Sequence, residues 1–268
     1  MKSCTAMEKY IGDTYLRDLF FESVRRGNLV HATRIIEDVG QGQGAEKLRN
    51  SLVNTLKEGS SPLHVAICSN HYAMVAMLLQ GCGDANLMDG SGFRPLHLSI
   101  LAARASVRAR HKHKVDRQRV PLEEADLAIL HLCLAAGADT ELPRILANGD
   151  KTSTPLFEAV CDGEVEVART LLKHGANCNI WGKARDCAWD ESALHVATRK
   201  KRPCQEDLCK LLLHYGADPF AKALTGEITR EGAVAIDPSS HASSPWIKSL
   251  VTGLQMARAM QKAEQMII

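Results

Sequence analysis

The chain has 268 residues, 45% hydrophobic and 24% charged, with a formal net charge of +2; it can bury a sizeable core, and so small a net charge gives no general affinity for nucleic acid. Only 4% of residues are aromatic, which favours helices of small and medium side chains over a β-rich fold. Nine cysteines with no CxxC pair exclude a disulfide framework and a zinc ribbon, and point to a reducing compartment.

The first residues, MKSCTAMEKYIGD, lack the continuous apolar stretch of a secretory leader, and no later segment is long and apolar enough to span a membrane. Cytosol or nucleus is the expected compartment. Leu19 to Gly40, LFFESVRRGNLVHATRIIEDVG, reads as helix, glycine, helix around Gly27. Gly40 to Leu56 opens with Gly-Gln-Gly-Gln-Gly and offers a short helix from Ala45. A motif then recurs: Ser61-Pro62-Leu63-His64, Arg94-Pro95-Leu96-His97, Thr154-Pro155-Leu156-Phe157 and Ser192-Ala193-Leu194-His195. Each copy leads, after a variable gap, to a leucine-rich run that ends in a small polar turn: MLLQGCGDAN, ILHLCLAAGAD, LLKHGANCN and LLLHYGADP.

The physics of the motif is that of a helix start. The hydroxyl of Ser61 or Thr154 can cap the first helix, Pro62, Pro95 and Pro155 carry the fixed φ of its first position, and Leu63 opens its apolar face. In EAVCDGEVEVARTLLKHGAN, Gly163 permits a tight turn between helices, Val167, Leu171 and Leu172 form the buried stripe of the second helix, and Gly175 ends it. Such a pair has two apolar sides and buries them only by stacking on other pairs.

From Pro62 to Pro95 is 33 residues, from Pro95 to Pro155 is 60, and from Pro155 to Ala193 is 38. Motif and spacing resemble those of the ankyrin repeat family, over about residues 19 to 220. The resemblance implies an all-α ankyrin-repeat solenoid of helix-turn-helix units with short β-turn fingers. Residues 1–59 are read as N-terminal capping helices, a degenerate first repeat and a Gly/Gln linker. Residues 60–220 are read as four ankyrin-like repeats with a basic insertion at about 103–124, and 221–268 as a degenerate repeat and a C-terminal capping helix. In that last helix Ile247, Leu250, Val251, Leu254 and Ala257 share a face.

Three equivalent histidines, His64, His97 and His195, would each need a catalytic partner to do chemistry. The resemblance implies instead a turn-fixing group, hydrogen-bonded to the hydroxyl of the motif and to nearby backbone. Arg94 replaces that hydroxyl in one copy and Phe157 replaces the histidine in another, so those two turns are expected to be weaker. The spacings among Cys187, His195, Cys204, Cys209 and His214 match no standard zinc pattern, and Cys209, Cys68, Cys133 and Cys161 read as small core residues of repeat helices. No Walker or GxGxxG sequence occurs, and nothing supplies the oxyanion loop of a cysteine protease. Neither cofactor nor metal is expected.

Two insertions carry the remaining signal. Arg104 to Arg119 holds Arg104, Arg108, Arg110, Lys112, Lys114, Arg117 and Arg119 against Asp116 alone. It reads as a solvated extension, as a nuclear-import or acidic-partner patch, or as a phosphate-binding run for nucleic acid or anionic lipid. In WGKARDCAWDE, Trp181 and Trp189 lie close together on a repeat finger; they are either interface anchors or a cover over neighbouring repeats. Phe93 is a further anchor candidate. Positions implied by the family's fingers and inner helices add Ser69, Asn70, His71, Ser91, Asp162 and Glu164.

The expectation is a monomeric, non-enzymatic binder of another protein on the concave ankyrin face, as adaptor, scaffold or inhibitor. The alternative is a nuclear regulator or an effector in a host cell, acting on nucleic acid or anionic lipid through residues 104–119.

Overall fold

The computed structural model describes residues 2–39, 45–110, 124–145, 154–183, 190–199 and 204–219. They fall into two compact units, Met1–Pro155 with Lys173–Ala176, and Leu156–Leu172 with Asn177–Ile268. The expected degenerate repeat and capping helix after residue 220, Trp189, and Lys112, Lys114, Arg117 and Arg119 lie outside the described residues.

The first unit is built of helices α1 (Lys2–Arg25), α2 (Leu29–Val39), α3 (Ala45–Asn54), α4 (Pro62–Cys68), α5 (Tyr72–Gln80), α6 (Pro95–Arg110) and α7 (Ala128–Ala135), with a 3₁₀ turn at Glu124–Leu127 before α7. The first helices of successive pairs stack as α1, α4 and α6, and the second helices as α2, α5 and α7. The reversal inside a pair needs a left-handed residue, supplied by Gly27 (φ 69°) between α1 and α2 and by Asn70 (φ 55°) between α4 and α5. Phe20, Leu63, Ile67, Met74, Leu78, Leu96 and Leu130 are fully buried along this stack. Each such side chain contributes on the order of 2 kcal/mol. The helix expected from Ala45 is α3, whereas α1 begins far upstream of the expected Leu19.

The second unit holds α8 (Pro155–Asp162), α9 (Val165–Lys173), α10 (Ala193–Arg199) and α11 (Gln205–His214), with strands β1 (Trp181–Lys183) and β2 (Asp190–Ser192) paired antiparallel, Trp181 opposite Ser192. Gly163 turns α8 into α9 at φ 74° and Gly175 follows α9 at φ 88°. Leu156, Phe157, Leu171, Leu194 and Leu212 are its fully buried large side chains.

Two kinds of polar link tie successive repeats. Asparagines clip the helix-ending turns. Asn86 Nδ2 donates to Gly137 O at 3.3 Å while its Oδ1 accepts from Asp139 N at 2.8 Å. Asn54 does the same to Cys82 O and Asp84 N, and Asn179 to Gly216 O and Asp218 N. Fingers lock side by side through backbone. The hairpin Lys57–Ser60, with Glu58 and Gly59 both at positive φ, accepts Gly90 N at Gly59 O, 2.6 Å away. The next finger accepts Ile145 N at Gly92 O, 3.2 Å away.

Gly92 sits at φ 79°, and a Cβ there would lie 1.4 Å from Ile145 O; Gly137 has a similar φ of 82° and nothing within 4 Å. Gly137→Ala is therefore expected to cost about 1 kcal/mol, the conformational penalty alone. Gly92→Ala is expected to cost about 3 kcal/mol, because finger and backbone must also separate. Urea unfolding of the two variants checks the difference.

Candidate functional site

Ser61 is the N-cap of α4 and Pro62 its first residue, as the motif predicts. The Ser61 hydroxyl accepts from His64 N at 3.4 Å and lies 2.6 Å from His64 Nδ1, and His64 Nε2 lies 3.3 Å from Phe93 O. A carbonyl oxygen only accepts, so the ring proton belongs on Nε2, and Nδ1 takes the hydroxyl proton of Ser61. Both ring nitrogens are thus spent, one within the motif and one on the next finger. His64 is 1% exposed, and burial moves its pKa down, against the opposing pull of Asp89 and the carbonyls of Phe93 and Leu87. A side chain so placed holds two repeats together and has neither the access nor the spare lone pair of a general base.

The pattern returns at the start of α10, where the Ser192 hydroxyl is 2.7 Å from His195 Nδ1 and accepts from His195 N. The two irregular copies lack these hydrogen bonds. Neither ring nitrogen of buried His97 has a hydrogen-bond partner, and neither has the buried Thr154 hydroxyl. Phe157 is fully buried and lies 3.0 Å from where a Cβ on Gly182 would stand, so packing replaces the hydrogen bonds there.

The cysteines divide. Burial pushes the thiols of Cys133 and Cys209 up to about 12, which leaves them inert. Cys68, expected in the core, is exposed, and Cys161 is half-buried: each lies in the last turn of its helix, past the buried stripe. Among the described residues no three His, Cys, Asp or Glu gather as a metal site requires.

The expected contact positions are spread over both units. Ser69 and Asn70 are exposed beyond α4. His71 is half-buried, its ring against Gly27 and its Nε2 3.3 Å from Arg25 O. Ser91 is exposed in the second finger, its N–H held by Asp89 Oδ1. Phe93, at the base of a finger, is half-buried and lies under the Arg144 guanidinium, 3.7 Å from its ring centroid. That cation–π pair joins residues far apart in the chain and leaves no local pattern at either. Asp162 and Glu164 flank Gly163, both half-buried. Trp181 remains 38% exposed at the start of β1, with its ring 5.9 Å from that of His195. Arg104, Arg108 and Arg110 continue α6 beyond the length of the other motif helices, Arg104 half-buried.

Stacked helix pairs, turn-fixing histidines and finger-to-finger backbone bonds define a repeat protein of interaction type. Residues 58–90 match the ankyrin repeat profile and residues 123–223 match the profile of ankyrin repeats in three copies, together half of the chain. The chain belongs to the ankyrin-repeat family and has its all-α solenoid fold. Ankyrin repeat and SOCS box protein 16 of Mus musculus is 27% identical over 199 residues, 72% of this chain and 40% of that protein. NF-kappa-B inhibitor zeta of Bos taurus is 29% identical over 252 residues, 81% of this chain and 34% of that protein. Rabankyrin-5 of Homo sapiens is 26% identical over 241 residues, 75% of this chain and 19% of that protein. The chain thus spans less than half the length of each of these relatives.

Burial, then Arg94 and Arg144, bring the pKa of His97 down from 6.5 to about 4. The unfolded chain binds that proton more readily, so the contribution is complete above pH 6.5 and is lost as pH falls toward 4. It amounts to about 3 kcal/mol. Unfolding free energy measured by urea is expected to fall between about pH 6.5 and 5, and His97→Gln to flatten that fall.

Proposed function

We propose that this chain is a non-enzymatic adaptor, scaffold or inhibitor that binds another protein on the concave ankyrin surface of fingers and first helices. The observation that carries the reading is Trp181. A large ring 38% exposed at the foot of a two-stranded finger, set against a histidine that Ser192 holds in place, is a preordered aromatic of the kind that anchors interfaces. Ser69, Asn70 and Ser91 present polar groups on fingers and helix ends, and Asp162 and Glu164 add negative charge in the second unit. His71, Phe93 and Trp189 complete the proposed contact set. The relative named NF-kappa-B inhibitor zeta supports an inhibitory role. Among the described residues no two cysteines are joined in a disulfide, which agrees with the cytoplasm or nucleus as the place of action, and the chain is taken to act as a monomer.

A second reading rests on α6. It runs 16 residues where α4 has 7, and its added turns carry Arg104, Arg108 and Arg110 into the basic run. That run would bind nucleic acid or anionic lipid with a steep salt dependence.

The test places a photo-crosslinking residue at Ser91 or Trp181 and, as control, at Lys210 on α11, identifies the captured protein, and then measures its affinity for the wild-type chain and for Trp181→Ala. Crosslinks confined to the first two positions are expected. Trp181→Ala should lower affinity by about tenfold or more while keeping a cooperative melt. Equal capture at Lys210, or unchanged affinity, overturns the proposed surface. Binding that depends on residues 104–119 and disappears with salt selects the second reading.

A further inference from the structure

Pro62 and Pro95 open α4 and α6, so the two helices can be compared residue by residue. Leu63, Ala66 and Ile67 are buried in α4, and Leu96, Ile100 and Ala103 in α6. The seventh residue of each helix faces solvent instead: Cys68 is exposed, and Leu101 is 44% exposed. Around them Val65 and Ala102 are half-buried, and Ser69 and Ala105 are exposed. Because α4 and α6 stack on one another, these side chains form one strip across two repeats. None of them carries a charge; desolvation, then Asp89, even push the Cys68 thiol up from its ordinary range. The motif does not impose that composition, since in α8 the places of Val65 and Ser69 belong to Glu158 and Asp162.

Charges of opposite sign stand at the two ends of the strip. At the finger, Asp89 Oδ1 is fixed by the amides of Ser91 and Phe93, at 2.9 and 2.6 Å, and its charge is felt at Cys68. At the other end α6 runs on past Leu101 into Arg104, Arg108 and Arg110. Arg104 and Arg108 follow Leu101 at the spacings that return to one face of a helix. Toward α1 the border is balanced, Arg25 facing Glu58 and Arg26 pairing with Glu22. A basic run alone attracts any polyanion. An apolar strip that leads into it asks in addition for apolar side chains ahead of the negative charge, which a nucleic acid does not have, and neither α4 nor α6 carries a Phe, Tyr or Trp on which a base could stack.

We propose that the strip on α4 and α6 docks a segment of a partner protein in which apolar side chains are followed by a run of Asp and Glu. The apolar side chains rest on Leu101 and Cys68, and the carboxylates lie toward the basic end of α6. Covering Leu101 supplies affinity, while the opposed charges set the direction of the bound segment, because a reversed one would bring its carboxylates to Asp89. This inference rests on the reading of the first helices as part of the binding surface, and adds to it the chemistry and the polarity of the partner.

The experiment selects a phage-displayed library of random peptides on the full chain and measures the enriched peptides in solution by fluorescence anisotropy. The expected peptides carry apolar residues followed by Asp or Glu. Leu101→Asp should weaken them by about tenfold or more, Arg108→Glu with Arg110→Glu by about tenfold, and reversal of the peptide end to end by a similar factor. Leu101→Asp should keep a cooperative melt because the side chain is exposed; if it does not fold, Leu101→Ser takes its place. No enrichment, enriched peptides without an acidic run, or affinity indifferent to Leu101 overturns the proposal. Peptides that lose affinity in Trp181→Ala but not in Leu101→Asp overturn it while leaving the concave surface as the binding face. A single-stranded oligonucleotide or phosphatidylserine vesicles that displace the peptide and bind Leu101→Asp as well as wild type assign the basic end to a polyanion, and overturn it too.

Discussion

One hydrogen-bonded chain, from the Ser61 hydroxyl through the His64 ring to the Phe93 carbonyl, links the three levels of this structure. The hydroxyl starts a helix, the ring fixes the turn that precedes it, and the far ring nitrogen reaches the following finger. Because a neutral imidazole has one donor and one acceptor, it can do all this only with both nitrogens engaged. The residue that looks most reactive in the sequence is therefore the one with least chemistry left to offer. Burying it costs desolvation that its partners must offset, and at His97, where the hydroxyl is replaced, that offset is missing from the side chains.

Other links depend on the same register. The fingers approach so closely that Gly59 and Gly90 meet backbone to backbone, and the asparagine clips work only if helix-ending turns stand one repeat apart. Helices, clips and fingers thus fix each other, and the consequence for function is rigidity. Side chains such as Ser91 and Trp181 are presented on backbone that is already ordered, so binding them costs less conformational entropy than ordering a free loop.

Much of this was legible because a repeat announces itself by recurrence. The Ser-Pro-Leu-His motif located the starts of α4, α6, α8 and α10, and the left-handed glycines at 163 and 175 stand where the turns required them. The stripe of Val167, Leu171 and Leu172 is buried as its spacing implied. What escaped was of two kinds. The length of α1 before Leu19 and the 3₁₀ turn at Glu124–Leu127 belong to no repeat, so recurrence was silent on them. Contacts between residues far apart in the chain, such as Arg144 on Phe93 or His71 on Gly27, leave no local pattern at either residue. The asparagine clips lie between: Asn86 and Asn179 each stand two residues beyond a turn Asp or Asn, a regularity visible once the turns are aligned. Glu141 holds the corresponding place in the intervening repeat. Trp181 lies on a finger, as the spacing of its repeat implies, and its contact with the His195 ring makes it part of the support as well as part of the surface.

The measurement that bears most directly on the histidine clip is a double-mutant cycle in urea with Ser61→Ala, His64→Leu and the double variant. If the hydroxyl and the ring act as one structural unit, the two single changes cost more together than the double variant does, with a coupling of about 1 to 2 kcal/mol. Strictly additive costs would show that the hydroxyl and the imidazole contribute separately, and would contradict the account of the motif as a hydrogen-bonded clip.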